Sequence, residues 1–177
     1  ILSLGPLITA ALAWVMLREP VDRSTLITMA VATLGVTVMF ADGLSGEGTV
    51  GMLFAMGAVS CFAVFLVTLR GGRSIDMIPA IGLSGFVAVI VGAIAAPTLV
   101  ISNWDIGIGV FLGVVQLALG YACITIATRH LSAALVAILI LSEVVFAPLF
   151  VWVGVGEVPT LMAGLGGLVV ISAVAVQ

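Results

Sequence analysis

The chain has 177 residues, of which 63% are hydrophobic and only 7% are charged, whereas about 25% of the residues in an ordinary soluble domain are charged. Five Arg, no Lys and eight acidic residues give a formal net charge of −3, and so few charges cannot cover a water-facing surface. This composition excludes a water-soluble enzyme, a nucleic-acid-binding protein and, with two Cys, a disulfide-stapled secreted module.

Long stretches without charge predict seven membrane-spanning helices. Six stretches of 17 to 28 residues carry no charge, and a seventh, 130–156, carries one, Glu143, at its midpoint. About 20 apolar residues in a helix cross a hydrocarbon core roughly 30 Å thick, whereas barrel strands are about ten residues long and alternate in polarity. We therefore expect an all-α integral membrane fold. The predicted spans are 2–17, 24–41, 50–68, 78–101, 106–128, 133–155 and 161–176.

The charges between the spans predict which side of the membrane each connection faces. Connections around residues 42–47, 102–105 and 156–157 contain no Arg. Because Arg-rich connections stay in the cytoplasm, we expect a multi-pass protein of the plasma or inner membrane with a cytoplasmic C-terminus. All five Arg lie in the three alternate connections: Arg18, Arg23, Arg70, Arg73 and Arg129.

A shift of 138 residues aligns the chain weakly with itself. It places Trp14-Val15 on Trp152-Val153 and Glu19 on Glu157. Spans one and two then correspond to spans six and seven. Five spans separate the partners, so the two copies are predicted to cross the membrane in opposite directions, a plan that recurs in secondary transporters.

Two segments resemble the ends of the two repeats in EamA-type carriers of the drug/metabolite transporter superfamily. The first is LSLGPLITAALAWVMLREP followed by TMAVATLGVTVMF, and the second is HLSAALVAILILSEVVFAPLFVWVGVGEVPTLMAGLGGLVVISAV. The Glu-Pro pair of the family is split here, because Gly5-Pro6 in one copy aligns with Glu143-Val144 in the other. The resemblance implies ten helices in two inverted five-helix units around a central cavity. Residues 1–41 would be the last two helices of the first repeat, with three helices before them, and 48–177 the complete second repeat.

The resemblance also implies a function. We expect a non-enzymatic carrier that exports or exchanges a small metabolite, amino-acid or drug-like, by alternating access between the two sides of the membrane. The alternative is a non-transporting membrane scaffold or subunit that packs through glycine-rich helix faces. A coupling proton and a homodimer stay open as partners beside the lipid bilayer. We expect no nucleic acid, cofactor or metal, because the chain has no phosphate-binding loop and no metal-ligand spacing.

Glu143 is the leading candidate for a functional side chain. A carboxylate at mid-bilayer is costly and should face the bundle interior or a wet cavity. There it could bind a substrate ammonium group or couple transport to protons; alternatively, a protonated Glu could join two helices by a hydrogen bond. Pro148 follows by just over one helical turn, and its kink could shape the same cavity. Pro6 is the candidate proline in the other copy.

Span five carries two further candidate stripes. Gln116 could line the cavity, or it could make one hydrogen bond within a packing seam. The hydroxyl of Tyr121, on a second stripe with Thr125 and Thr128, needs either cavity water or a backbone carbonyl. The predicted seam consists of residues at steps of four, three, four and three on one helix face: Gly109, Gly113, Gln116, Gly120 and Cys123.

Overall fold

The computed structural model describes residues 4–39, 49–96 and 102–176, which form helices and contain no strand. The all-α fold is thereby confirmed; the predicted connection at 42–47 lies outside the described residues. The elements are α1 (Gly5–Leu17), α2 (Arg23–Met39), α3 (Thr49–Gly71), α4 (Ile78–Ala95), α5 (Asn103–Phe111), a π-helical segment (Leu112–Ala118), α6 (Leu119–His130), α7 (Ala133–Leu141), α8 (Glu143–Val155) and α9 (Leu161–Ala175).

Four helical segments of the described chain are long and apolar enough to cross a membrane. They are Val50–Gly71, Ile78–Ala95, Asn103–His130 and Ala133–Val155. The other three predicted spans appear as shorter apolar helices, α1, α2 and α9, of 13, 17 and 15 residues. The helical segments therefore follow the predicted order, while the count of seven membrane spans stays a prediction.

The first turn of α5 begins earlier than predicted. The Ser102 Oγ accepts the backbone N–H of Asp105 at 3.2 Å, and a carboxylate oxygen of Asp105 accepts the backbone N–H of Ser102, also at 3.2 Å. This reciprocal arrangement is a capping box, which satisfies two backbone donors that a helix start leaves unpaired. Placing residues 103–105 in a connection was therefore wrong, although the Ser-x-x-Asp pattern was visible in the sequence.

The described residues form two compact units, of which unit 1 combines the two ends of the chain, Ile1–Thr68 and Leu131–Gln177. Its centre is α7, which packs against α1, α2, α8 and α9. Six of the nine residues of α7 are buried. Ala13 near the end of α1 clusters with Ala133 at the start of α7, while Ala10 clusters with Ile138. The two helices therefore run antiparallel.

The closest helix crossing in unit 1 joins α2 to α9. Met29, early in α2, clusters with Val174 near the end of α9, whereas Met39 lies beside Gly166, so these helices also run antiparallel. A Cβ on Gly35 would lie 2.9 Å from the carbonyl oxygen of Gly166, and a Cβ on Gly166 would collide with the carbonyl oxygen of Gly35. Only glycine allows backbones to approach this closely.

Helix bounds in unit 1 repeat with the shift found in the sequence. Adding 138 to the bounds of α1 gives 143–155, the bounds of α8, and adding it to the first residue of α2 gives the first residue of α9. Arg18 and Gly156, which follow α1 and α8, have positive φ angles of 52° and 85°. A left-handed residue is a common way to end a helix. The two helices related by this shift thus end in the same way.

Unit 2, Leu69–His130, contains the end of α3, α4 and the long helix built from α5, the π-helical segment and α6. The Arg70 Nη1 donates to the carbonyl oxygens of Thr128 and Arg129 at 3.1 and 3.2 Å. The Arg129 Nη2 lies 3.0 Å from the Asp76 Oδ1. These bonds join the last turn of α3 and the segment after it to the end of α6, where cations also interact favourably with the helix dipole.

Candidate functional site

Unit 1 contains a cavity of about 970 Å³ that brings three of the predicted site residues together. Pro6, Glu143 and Pro148 all line it. The walls come from all six helices that contribute to unit 1, α1, α2, α3, α7, α8 and α9, and the segment between α8 and α9 also lines it. The remaining lining residues are Gly5, Thr9, Met39, Ala58, Val59, Phe62, Leu66, Ala137, Ile140, Leu141, Val144, Ala147, Val151, Glu157, Val158, Pro159, Thr160 and Ala163.

Glu143 occupies the first turn of α8, next to an irregularity in the helix. The Ser142 N–H donates to the Leu139 carbonyl at 3.1 Å, and the Val145 N–H donates to the Ser142 carbonyl at 3.0 Å. Bonds between residues three apart tighten a helix relative to the α form. The Ser142 Oγ also donates to the Leu139 carbonyl at 2.6 Å, which bends helices. Glu143 thus follows a tightened turn within the helical segment Ala133–Val155.

Pro148 acts on the same helix one turn later. Its ring has no N–H, so the carbonyl of Val144, four residues earlier, lacks its usual helical donor. Val144 and Pro148 both line the cavity. A kink at Pro148 that shapes the cavity stays a prediction; the irregularity that the structure shows lies at Ser142, between α7 and α8.

Glu157 is a cavity residue that the sequence analysis treated only as part of a repeated turn. It follows the left-handed Gly156 and lines the same cavity as Glu143. Thr160, in the same short segment, caps α9 by accepting the Ala163 N–H at 3.2 Å. Glu157 is an acidic residue that directly follows a helix-ending glycine and lies between two apolar spans. This pattern was the signal that could have indicated its position at the cavity.

Gln116 and Tyr121 lie in unit 2 and do not line this cavity. Gln116 is exposed within the π-helical segment, and such segments occur often at functional sites. Tyr121 is half-buried, and its carbonyl oxygen accepts the Thr125 hydroxyl at 2.7 Å. A role for either side chain in a site stays a prediction.

The glycines of span five make no close packing contact within the described residues. A Cβ on Gly109, Gly113 or Gly120 would meet no atom within 4 Å. The π-helical segment between Gly109 and Gly120 also widens the helical turn, so the steps of three and four no longer keep these residues on one straight face. Their role in helix packing stays a prediction, whereas the sequence analysis missed the close pair Gly35 and Gly166.

Within the described chain, no group of three or more His, Cys, Asp or Glu residues could hold a metal ion. The cavity offers two carboxylates and apolar walls, which suit reversible binding of a small molecule.

Comparison with known proteins gives one family match. Residues 49–176 match the family described as the EamA-like transporter family. The matched range contains Glu143, Pro148 and Glu157, whereas Pro6 and Thr9 precede it. Among curated proteins, none matches the sequence.

Proposed function

We propose a transport mechanism for this chain, which belongs to the EamA-like transporter family and is a multi-pass membrane protein. In the proposed function, the chain moves a small metabolite across the membrane by alternating access, and the cavity beside Glu143 holds the cargo. The driving force is a gradient of the substrate or of protons. The observation that carries the proposal is the cavity itself, because it places the mid-span carboxylate of Glu143 against about 970 Å³ of otherwise mostly apolar space.

The paired helices of unit 1 support an inverted-repeat mechanism. We propose that residues 1–41 and 48–177 belong to two related repeats in a ten-helix plan. The matching bounds of α1 and α8, the matching left-handed residues Arg18 and Gly156, and the antiparallel crossing of α2 and α9 support it. Rocking of one repeat against the other would open the cavity to each side in turn.

The positions of the arginines support a cytoplasmic C-terminus. Arg18 and Arg23 flank the connection between α1 and α2, Arg70 lies in the last turn of α3 and Arg73 follows that helix, and Arg129 lies in the last turn of α6. Two predicted membrane-crossing segments separate each Arg-containing connection from the next. All three of these connections would therefore lie on the same side of the membrane. By the positive-inside rule, that side is the cytoplasm of a plasma or inner membrane.

Flux through proteoliposomes tests the proposed function. The full-length protein is reconstituted, and uptake is measured for labelled amino acids and aromatic compounds chosen as cations, zwitterions, neutral molecules and anions. We expect saturable, gradient-driven uptake of at least one class above that of protein-free vesicles. A scaffold that packs through Gly109, Gly113 and Gly120 would give no saturable uptake in any class, and that result would contradict transport.

A further inference from the structure

The long helix of unit 2, Asn103–His130, is capped in different ways at its two ends. At its start, the capping box of Ser102 and Asp105 belongs to the helix itself, and the Ser102 hydroxyl also donates to the Asp105 carboxylate at 2.7 Å. At its end, the guanidinium of Arg70, in the last turn of α3, donates to two carbonyl oxygens of α6. The end of the long helix is therefore fixed to another helix, whereas the cap at its start moves with the helix.

The middle of this helix is π-helical. The segment Leu112–Ala118 contains Gln116, one of the two central residues of the 28 in the helix. The Leu119 N–H donates to the carbonyl of Val114, five residues earlier, whereas an α-helical N–H bonds four residues back. The wider turn takes up about one residue more than an uninterrupted α-helix needs to join the same two halves.

The residues of the π-helical segment weaken its preference for the α form. Gly113 lies within the segment, Gly120 follows it by two residues, and Val114 and Val115 are β-branched. Glycine and β-branched residues are less favourable in α-helices than Ala or Leu. In either form the N–H groups bond to carbonyls of the same helix, as the interior of a membrane requires. The segment can therefore change its bonding pattern without leaving the helical state.

A change from π to α bonding would rotate one half of the helix against the other. Successive residues of an α-helix are roughly 100° apart around its axis. Because the π-helical segment takes up about one extra residue, α bonding in the same chain turns α5 by roughly 100° relative to α6. Arg70 holds the end of α6 on α3, so α5 is the half that turns.

We propose that the π-helical segment Leu112–Ala118 is a conformational switch. It adopts α bonding in the second access state of the carrier, and α5 thereby rotates about its own axis while Arg70 keeps α6 in place. The inference rests on the proposed transport function and assigns one of its moving parts.

Distances between pairs of spin labels test this rotation in the full-length protein. The reference helix is α4, which packs against α6. After native cysteines are replaced by serine, labels are attached to cysteines at two pairs of positions. Ile90, near the end of α4, is paired with Ile108 on α5, and Leu83, near the start of α4, is paired with Ile126 on α6. All four side chains are exposed.

The distances are measured by double electron–electron resonance in nanodiscs, without ligand and with each compound of the uptake panel. The pair Ile90 and Ile108 should give two distances that differ by up to about 8 Å, because a rotation of roughly 100° displaces the surface of a helix by this amount. The pair Leu83 and Ile126 should give one distance. A single distance for the first pair under every condition, or two distances for both pairs, would overturn the proposal.

Deletion of Val115 removes the residue that the switch needs. With one residue fewer, a continuous α-helix keeps α5 and α6 in the orientation of this structure, so the deletion variant should give one distance for the pair Ile90 and Ile108. Val115→Ala keeps the number of residues and, as the control, should give both. Two distances in the deletion variant would contradict the switch. If the deletion variant does not fold, as judged by circular dichroism, the distances in the unchanged protein still decide the question.

Uptake distinguishes failure of the switch from failure of transport. The deletion variant should take up the transported compound at least about 10-fold more slowly than Val115→Ala, because conformational steps set many turnover rates. Equal uptake by the two variants would overturn the switch and leave transport intact. Two distances for the pair Ile90 and Ile108, without uptake of any compound, would overturn transport and leave the switch intact.

Discussion

Gly166→Ala should destabilise the protein strongly, by an amount near the upper end of the range of about 1–3 kcal/mol measured for overpacked sites. The added Cβ would collide with the carbonyl oxygen of Gly35 and lie 2.7 Å from the backbone nitrogen of Met39. Both atoms belong to the backbone of α2, so they cannot move aside as a side chain can. The crossing between α2 and α9 would have to open, and the free energy of unfolding would fall.

Gly164→Ala is the matched control on the same helix. A Cβ there would meet no atom within 4 Å, and alanine is a better helix former than glycine by about 1 kcal/mol. Unfolding of both variants in mixed detergent micelles is followed by circular dichroism. The control should unfold at the same or a higher denaturant concentration than the unchanged protein. Equal stability of the Gly166→Ala and Gly164→Ala variants would show that the crossing does not depend on close backbone contact.

Glu143→Gln should abolish flux, or remove its dependence on pH, in proteoliposomes. Glutamine has nearly the same size and keeps hydrogen-bonding capacity, but it can neither carry a negative charge nor exchange a proton. If Glu143 binds a charged substrate group, flux should fall by about 100-fold, as when a desolvated charge pair loses one partner. The measurement is the initial uptake rate of the most rapidly transported compound between about pH 5 and 8.

Glu19→Gln is the control for this substitution. Glu19 follows α1 as Glu157 follows α8, and it does not line the cavity. Its uptake rate and pH profile should match those of the unchanged protein. An unaltered pH profile in Glu143→Gln, with normal uptake, would rule out both roles for the carboxylate.

Features that depend on local chain chemistry could be predicted from the sequence. Charge-free stretches placed the helical segments, since a helix in lipid satisfies its own backbone hydrogen bonds. The position of Glu143 within an apolar stretch predicted that its side chain faces the bundle interior or a cavity, and Glu143 lines the cavity of unit 1. The start of α5 also has a local signal in the sequence, the Ser102 and Asp105 of the capping box. The sequence analysis nevertheless placed Asp105 at the end of the preceding connection because of its charge.

Features that depend on neighbouring helices could not be predicted. Spacing shows which small residues share a helix face, but it does not show whether another helix lies against that face. Gly35 and Gly166 meet a neighbour, whereas Gly109 and Gly113 meet none among the described residues. The π-helical segment around Gln116 adds a residue to the turn without a sequence signature of its own.

Access to the cavity from both sides of the membrane distinguishes a carrier from a scaffold without knowledge of the substrate. Ala147, which lines the cavity, is replaced by cysteine after Cys61 and Cys123 are changed to serine. Val153, also on α8, is 86% exposed and lies outside the cavity wall, so Val153→Cys is the lipid-facing control.

The decisive measurement is the rate at which a membrane-impermeant maleimide labels each variant in right-side-out and inside-out vesicles. Alternating access requires that Ala147→Cys be labelled from both sides, whereas Val153→Cys should stay unlabelled in either orientation because lipid excludes the reagent. Labelling of Ala147→Cys from one side only, or from neither, would contradict alternating access.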